Sequence, residues 1–181
     1  MTGHTLILGM SQSGKSTLAK IMACESIKRG RTVVVLDPIY DAEWSRIGCV
    51  VFYSTEKFNR YIKDPDNREM TVIVDEVGLA IARNKAMNHI TTSARHRGHV
   101  TIVIGHERTD LSPVMRNNCG TLCLFVLSRE SREMLAREWD CDAILSVKLN
   151  QGEFLYIQKF KGIKMGRIDF KKRTLSLSEI K

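Results

Sequence analysis

An α/β fold, with a mostly parallel sheet flanked by helices on both faces, is what this chain of 181 residues predicts. Three observations predict it. Apolar, β-branched runs alternate with helix-compatible segments along the chain. The run Thr5-Leu6-Ile7-Leu8 leads directly into Gly9-Met10-Ser11-Gln12-Ser13-Gly14-Lys15-Ser16, and Val72-Ile73-Val74 ends in the acidic doublet Asp75-Glu76. Runs without polar alternation suit strands buried on both faces, the state of parallel strands between two helix layers.

The elements follow in order. A strand over Thr5–Leu8 precedes a helix from about Gly14 to Lys28, with Leu18, Ile21 and Met22 on one face and a stop near Gly30. Thr32–Leu36 reads as a buried strand ended by Asp37-Pro38, and Cys49–Tyr53 as another. Ser54 opens a helix to about Ile62, and Asp64-Pro65-Asp66-Asn67 is a turn. Met70–Val74 is a strand, and a polar helix is expected from about Ala82 to His96. Val100–Ile104 and Thr121–Leu127 are strands, with a short helix after Ser112-Pro113 between them. Ser128 caps a helix from Arg129 to Trp139. Glu153–Gln158 and Ile163–Ile168 pair as a hairpin about Lys161-Gly162, and Asp169–Lys181 is expected to be loose. Residues 1–150 are thus expected to form the core, with 151–181 a β-hairpin and basic tail packed on it or extending from it.

The glycine-rich stretch has the pattern G-x-x-x-x-G-K-[ST] between a strand and a helix. Such a loop turns its backbone N–H groups inward and forms an anion nest at a helix N-terminus. Gly9, Met10, Ser11, Gln12, Ser13, Gly14, Lys15, Ser16 and Thr17 are therefore expected to cradle the phosphates of a nucleotide. Lys15 would reach the outer phosphates and the Ser16 hydroxyl would hold Mg²⁺. Asp75, at a strand end beside the loop, would complete the metal shell. Glu76 would orient or deprotonate the attacking water. The guanine-reading Asn-Lys-x-Asp is absent. A kinase must avoid activating water, so a carboxylate placed for water points to ATP hydrolysis.

Composition narrows the class. The net charge of +8 is uneven: Val77–His106 holds no acidic residue but four histidines with Arg83, Lys85, Arg95 and Arg97, and residues 148–181 hold nine Lys/Arg against three Asp/Glu. Such an excess favours polyanions, nucleic acid above all. No apolar stretch approaches the roughly 20 residues of a membrane span. The first residues run straight into a strand, leaving no room for a cleaved signal segment. The five cysteines are scattered and lack zinc-site spacing, which suits buried thiols in a reducing compartment. Trp44 and Trp139 are expected in the core or an interface.

The residues Gly9–Ser16, Asp37-Pro38 with Asp41, Glu43 and Trp44, Val72–Glu76, Ala94-Arg95-His96-Arg97-Gly98 and the strand Thr101–Gly105 fall in the order of the FtsK–HerA superfamily of P-loop ATPases. Within it the chain resembles the compact genome-packaging ATPases of membrane-containing, double-jelly-roll viruses. The resemblance implies a RecA-like ATPase core and a homo-oligomeric, hexameric ring with ATP between subunits. An arginine from the neighbour would stabilise the transferring phosphoryl group. Arg97 and Arg116 are the preferred candidates among Arg95, Arg97, Arg108, Arg116 and Arg129. In that superfamily the strand ending here at Gly105 usually leads into a polar sensor, and His106 stands in its place. The implied activity is translocation of double-stranded DNA into a preformed capsid, in the host cytoplasm or at the packaging vertex of the virion. The stretch 83–99 would face DNA, and capsid-vertex or membrane proteins are possible further partners. The alternatives are a phage assembly or secretion factor and a small nucleoside or nucleotide kinase.

Overall fold

The computed structural model describes residues 3–78 and 85–180. One nine-stranded sheet runs through the molecule in the order β3-β2-β4-β5-β1-β6-β7-β8-β9. These strands are β1 His4–Leu8, β2 Val33–Leu36, β3 Val50–Phe52, β4 Thr71–Val74, β5 Val100–Gly105, β6 Cys119–Leu124, β7 Glu153–Gln158, β8 Gly162–Asp169 and β9 Thr174–Glu179. The first six are parallel; β7, β8 and β9 extend the sheet antiparallel. The α/β class, the mostly parallel sheet and the C-terminal hairpin expected from the sequence are therefore present.

Burial follows the side-chain period of two. On one face Leu6, Leu8, Val72, Val74 and Val103 pack with Phe58, Leu135 and Trp139. On the other, Ile7, Ile73, Ile102 and Ile104 pack under α1 (Lys15–Lys28) through Leu18, Ala19, Met22 and Ala23. A helix of this length is marginal alone in water, so this apolar stripe, worth roughly 1.5–3 kcal/mol per large side chain, holds it. Trp44, on the short helix α2 (Glu43–Arg46), is fully buried in the same layer. α3 (Thr55–Lys63) starts on the Ser54 cap, which accepts from the Lys57 N–H, and buries Phe58 and Ile62.

Three expectations change. The polar helix expected over 82–96 begins outside the described residues. Its described part is two 3₁₀ turns, Lys85–Ile90 and Ala94–Arg97. The hydroxyls of Thr91 and Thr92 return to the Asn88 carbonyl and that of Ser93 to the His89 carbonyl. Such side-chain bonds compete with a continuous α-helical ladder. The strand expected over 121–127 instead runs from Cys119 to Leu124. The tail expected to be loose carries β9, paired with β8 from Asp169↔Thr174 to Lys164↔Glu179 and anchored by the Lys164–Glu179 ion pair.

The basic stretch before β5 lies at the N-terminal ends of the parallel strands. Arg97 donates to the Ile62 and Asp64 carbonyls there. His99 is buried, and its Nδ1 accepts from the Met70 N–H at 3.2 Å. Burial, with Arg97 and Arg31 nearby, holds its pKa below the ordinary 6.5. Above that value the ring is neutral in both folded and unfolded chains, and its contribution to stability is complete. Below it the unfolded chain takes up the proton first, so stability is lost as pH falls. The midpoint of thermal unfolding should therefore drop between about pH 7.5 and 5.5, and less so in His99→Asn, which keeps a short acceptor without the titration.

Candidate functional site

The phosphate loop, the acidic doublet and His106, all expected at the nucleotide, lie at one end of the sheet. The parallel strands β1, β2, β4, β5 and β6 end at Leu8, Leu36, Val74, Gly105 and Leu124, and the phosphate loop, Asp37, Asp75-Glu76 and His106 follow directly. The antiparallel β7 starts at this end, just after Gly152.

The loop is held from three sides. Met10 N–H donates to the Val126 carbonyl at 2.8 Å, while Gly152 N–H and the Gln151 amide donate to the Ser13 and Gln12 carbonyls. Gly9 lies so close to Phe125 that a Cβ on it would meet the Phe125 Cβ at 2.5 Å. Gly14 caps α1 in the left-handed region, at φ 115°, where a side chain would be strained. Gln12 is also left-handed, and this alternation turns successive N–H groups toward one side. The cleft over the loop, about 180 Å³, is lined by Gln12, Gly14, Lys15, Ser16, Glu76 and His106. An inward nest and a lysine lining one cleft together fit a phosphate group.

Lys15 is 5% exposed, and its Nζ donates to the Met10 carbonyl at 2.8 Å. Burial pulls its pKa down, against the attraction of Glu76, Asp75 and Asp110. Asp75 is 1% exposed; its Oδ2 accepts from the Trp44 indole at 3.3 Å and its Oδ1 from the Glu76 N–H at 3.0 Å. Burial pushes its pKa up to about 6, with Glu76 and Asp37 adding to the rise. Glu76 itself sits at φ 47°, costly for a residue with a side chain by roughly 1–3 kcal/mol.

β5 lies between β1 and β4 in the sheet, so His106 falls between Lys15 and Glu76. Its Nε2 is 2.6 Å from Glu76 Oε2, and its Nδ1 makes a longer 3.5 Å contact with Lys15 Nζ. The consistent assignment has Nδ1 accepting from lysine and Nε2–H donating to glutamate. Asp110 fixes the backbone beneath, accepting from the N–H groups of His106 and Glu107.

The structure therefore brings Gly9–Thr17, Asp75, Glu76 and His106 together. It does not bring Arg97 or Arg116 to them. Arg97 is at the opposite end of the sheet. Arg116 is 6% exposed, and Glu138 and the carbonyls of Leu111 and Arg108 occupy its guanidinium. Both side chains are bonded within their own chain. The Arg95 side chain lies outside what the structure describes, as does Arg83. Arg129 begins the helix after β6, at the loop's end of the sheet, and its side chain is 90% exposed. Gln151 and Gly152, which clamp the loop, and Phe170, which meets it across Gly14, carry no local sequence signal, because their role comes from sheet pairing 140 or so residues away.

Residues 1–48 match the family model described as "Helicase HerA, central domain". A comparison with curated proteins finds no match. Among solved structures, the chain is similar to the genome packaging NTPase B204 of Sulfolobus turreted icosahedral virus 2 in complex with ATP-gammaS. That likeness has 16% identity and a TM-score of 0.72 and covers 100% of both chains. B204 from Sulfolobus turreted icosahedral virus, the DNA-packaging ATPase, matches at 18% identity and TM-score 0.67, over 99% of this chain and 98% of that one. The cytoplasmic domain of the Thermomonospora curvata Type VII secretion ATPase EccC matches at 14% identity and TM-score 0.65, over 99% of this chain and 24% of that one.

Gly9→Ala should destabilise the fold by roughly 1–3 kcal/mol, because the added methyl overpacks against Phe125. The measurement is a fall in the urea midpoint at unchanged slope. An unaltered midpoint would contradict the close approach described above. With the HerA central-domain match over its first 48 residues and the B204-like fold over its whole length, the chain resembles the FtsK–HerA P-loop ATPases.

Proposed function

We propose that this chain is an ATP-hydrolysing subunit of a ring that moves double-stranded DNA into a viral capsid. The observation that carries the hydrolytic part is the chain of contacts from Lys15 through His106 to Glu76 beside the phosphate loop. Lys15, buried and short of water, would be satisfied by the outer phosphates of ATP. Ser16 and Asp75 offer hard oxygen donors of the kind Mg²⁺ takes alongside phosphate oxygens and water. Bound there, the ion would neutralise charge developing between the transferring and leaving groups. The Glu76 carboxylate would accept the proton of the attacking water, and His106 would hold that carboxylate in place and respond to the terminal phosphate.

The trans-acting arginine proposed here is Arg129, since it is 90% exposed at the loop's end of the sheet, with a surface pair to Glu133 at 2.9 Å, while Arg97 and Arg116 are bonded to buried or backbone partners. The DNA-moving part rests on the likeness to B204, whose description is DNA packaging, and on the net charge of +8. A second reading, a motor for protein export, is favoured by the shared fold with the secretion ATPase EccC. Among the described residues no helix is long and apolar enough to cross a membrane.

Glu76→Gln should keep ATP binding and lose hydrolysis by about 10²-fold or more. Normal turnover in that variant would remove Glu76 from the mechanism. Arg129→Ala should likewise bind ATP but hydrolyse slowly, and mixing it with Glu76→Gln subunits should restore part of the rate, as two half-sites combine. The DNA step is read from the ATPase rate with and without double-stranded DNA beside the native mass. Stimulation of a multi-subunit species supports packaging; a monomer indifferent to DNA would overturn it.

A further inference from the structure

The cleft over the phosphate loop shares Thr17 and Phe170 with a second cavity of about 160 Å³. Its walls are one face of α1 (Thr17, Ile21, Cys24), Ile47 beyond α2, and Phe170 with Arg173 from the β8–β9 turn. A triphosphate whose outer end lies at Lys15, His106 and Glu76 must leave the loop past Thr17. Seven helical steps lead from Thr17 to Cys24, about 10 Å of rise. That length suits a nucleoside laid along α1.

We infer that this second cavity is the nucleoside subsite, in which Phe170 stacks on the base and no side chain selects between adenine and guanine; this rests on the nucleotide-binding reading above. The lack of selection follows from the charges. Every charged side chain lining the cavity already has an opposite partner in the chain. Lys20 holds Asp41 and Glu43 at 2.5 and 2.7 Å, Arg173 holds Glu43, and Glu25 holds Lys28 at 2.8 Å. These pairs keep Lys20 firmly protonated and Asp41 and Glu43 firmly ionised. Strong discrimination needs buried polar groups left unpaired by the wrong ligand, and this wall offers none. Phe170 is 44% exposed, its ring edge near Gly14 and Gly152. That edge is thus set against the phosphate loop, and the ring remains part-open to a ligand.

The test is the affinity, with Mg²⁺, of the full-length protein for ATP, GTP and inorganic tripolyphosphate, read by displacement of a fluorescent ATP analogue. ATP and GTP should bind within about tenfold of each other, since a stack is tolerant of the base. Phe170→Ala should weaken both nucleotides by roughly tenfold, the loss of one stack, and tripolyphosphate by clearly less. Phe170→Trp should restore them. Should Phe170→Ala fail to fold, Ile47→Arg, which fills the cavity from its other wall, should give the same pattern. An equal loss for nucleotides and tripolyphosphate would mean that Phe170 only shapes the loop, and unchanged affinities would place the base elsewhere; either overturns the inference. So would a preference above about 100-fold for one purine. Lys15→Ala separates the two levels: if it leaves tripolyphosphate and ATP binding intact, the phosphate-site reading fails, whatever Phe170 does.

Discussion

Leu8 pairs with Gly105 on one side and Leu124 on the other, and this double pairing at the end of β1 is the constraint on which the site depends. A strand bonded on both edges cannot shift its register without breaking two ladders and turning its apolar side chains to the wrong layer. The loop therefore leaves the sheet from a fixed point. On one flank β5 delivers His106; on the other β6 delivers Phe125, which packs against Gly9, and Val126, which accepts from Met10. The loop needs little intrinsic rigidity, because its neighbours supply it.

Electrostatics at this end of the sheet run against stability. Lys15 is buried, Asp75 is buried with its carboxyl pushed up to about 6, and Glu76 sits in a strained backbone conformation. Each would be easier to accommodate elsewhere. The surrounding bonds over-determine them: Trp44 and the Glu76 N–H on Asp75, His106 on Glu76, Met10 on Lys15. Strain and desolvation held in place by such a shell are characteristic of functional sites. The same balance explains the weight placed on Trp44. It is a core residue by burial, yet its single polar atom reaches the buried carboxylate.

The C-terminal strands serve the loop as much as the sheet. β7 starts beside it, so the residues just before β7 reach across to the carbonyls of Gln12 and Ser13. β8 ends at the same place, setting Ile168 and Phe170 against Gly14. Arg173 in the following turn closes back on Glu43 of α2. Residues near the two ends of the chain are thus neighbours around one cleft.

Much of this was legible in the sequence, because it depended on local rules. Gly9–Ser16 marked a strand–loop–helix anion site through glycine placement alone. The acidic doublet after Val72–Val74 placed two carboxylates at a strand end, and apolar period marked nearly all the strands. What the tertiary structure decided was non-local. Whether β5 would lie beside β1 or beyond β4 has no trace in either strand's composition, yet that order sets His106 between Lys15 and Glu76. Arg116 read as a preferred candidate for the trans-acting arginine, but Glu138 and two carbonyls converge on it only after folding. Thr91–Ser93 looked helical until their hydroxyls found backbone acceptors, and β9 read as loose until β8 offered it an edge. Sequence by itself determined which groups can bind phosphate and move a proton, because that is a property of residue types. Structure decided which of them meet, because contact between distant residues is set by strand order and packing.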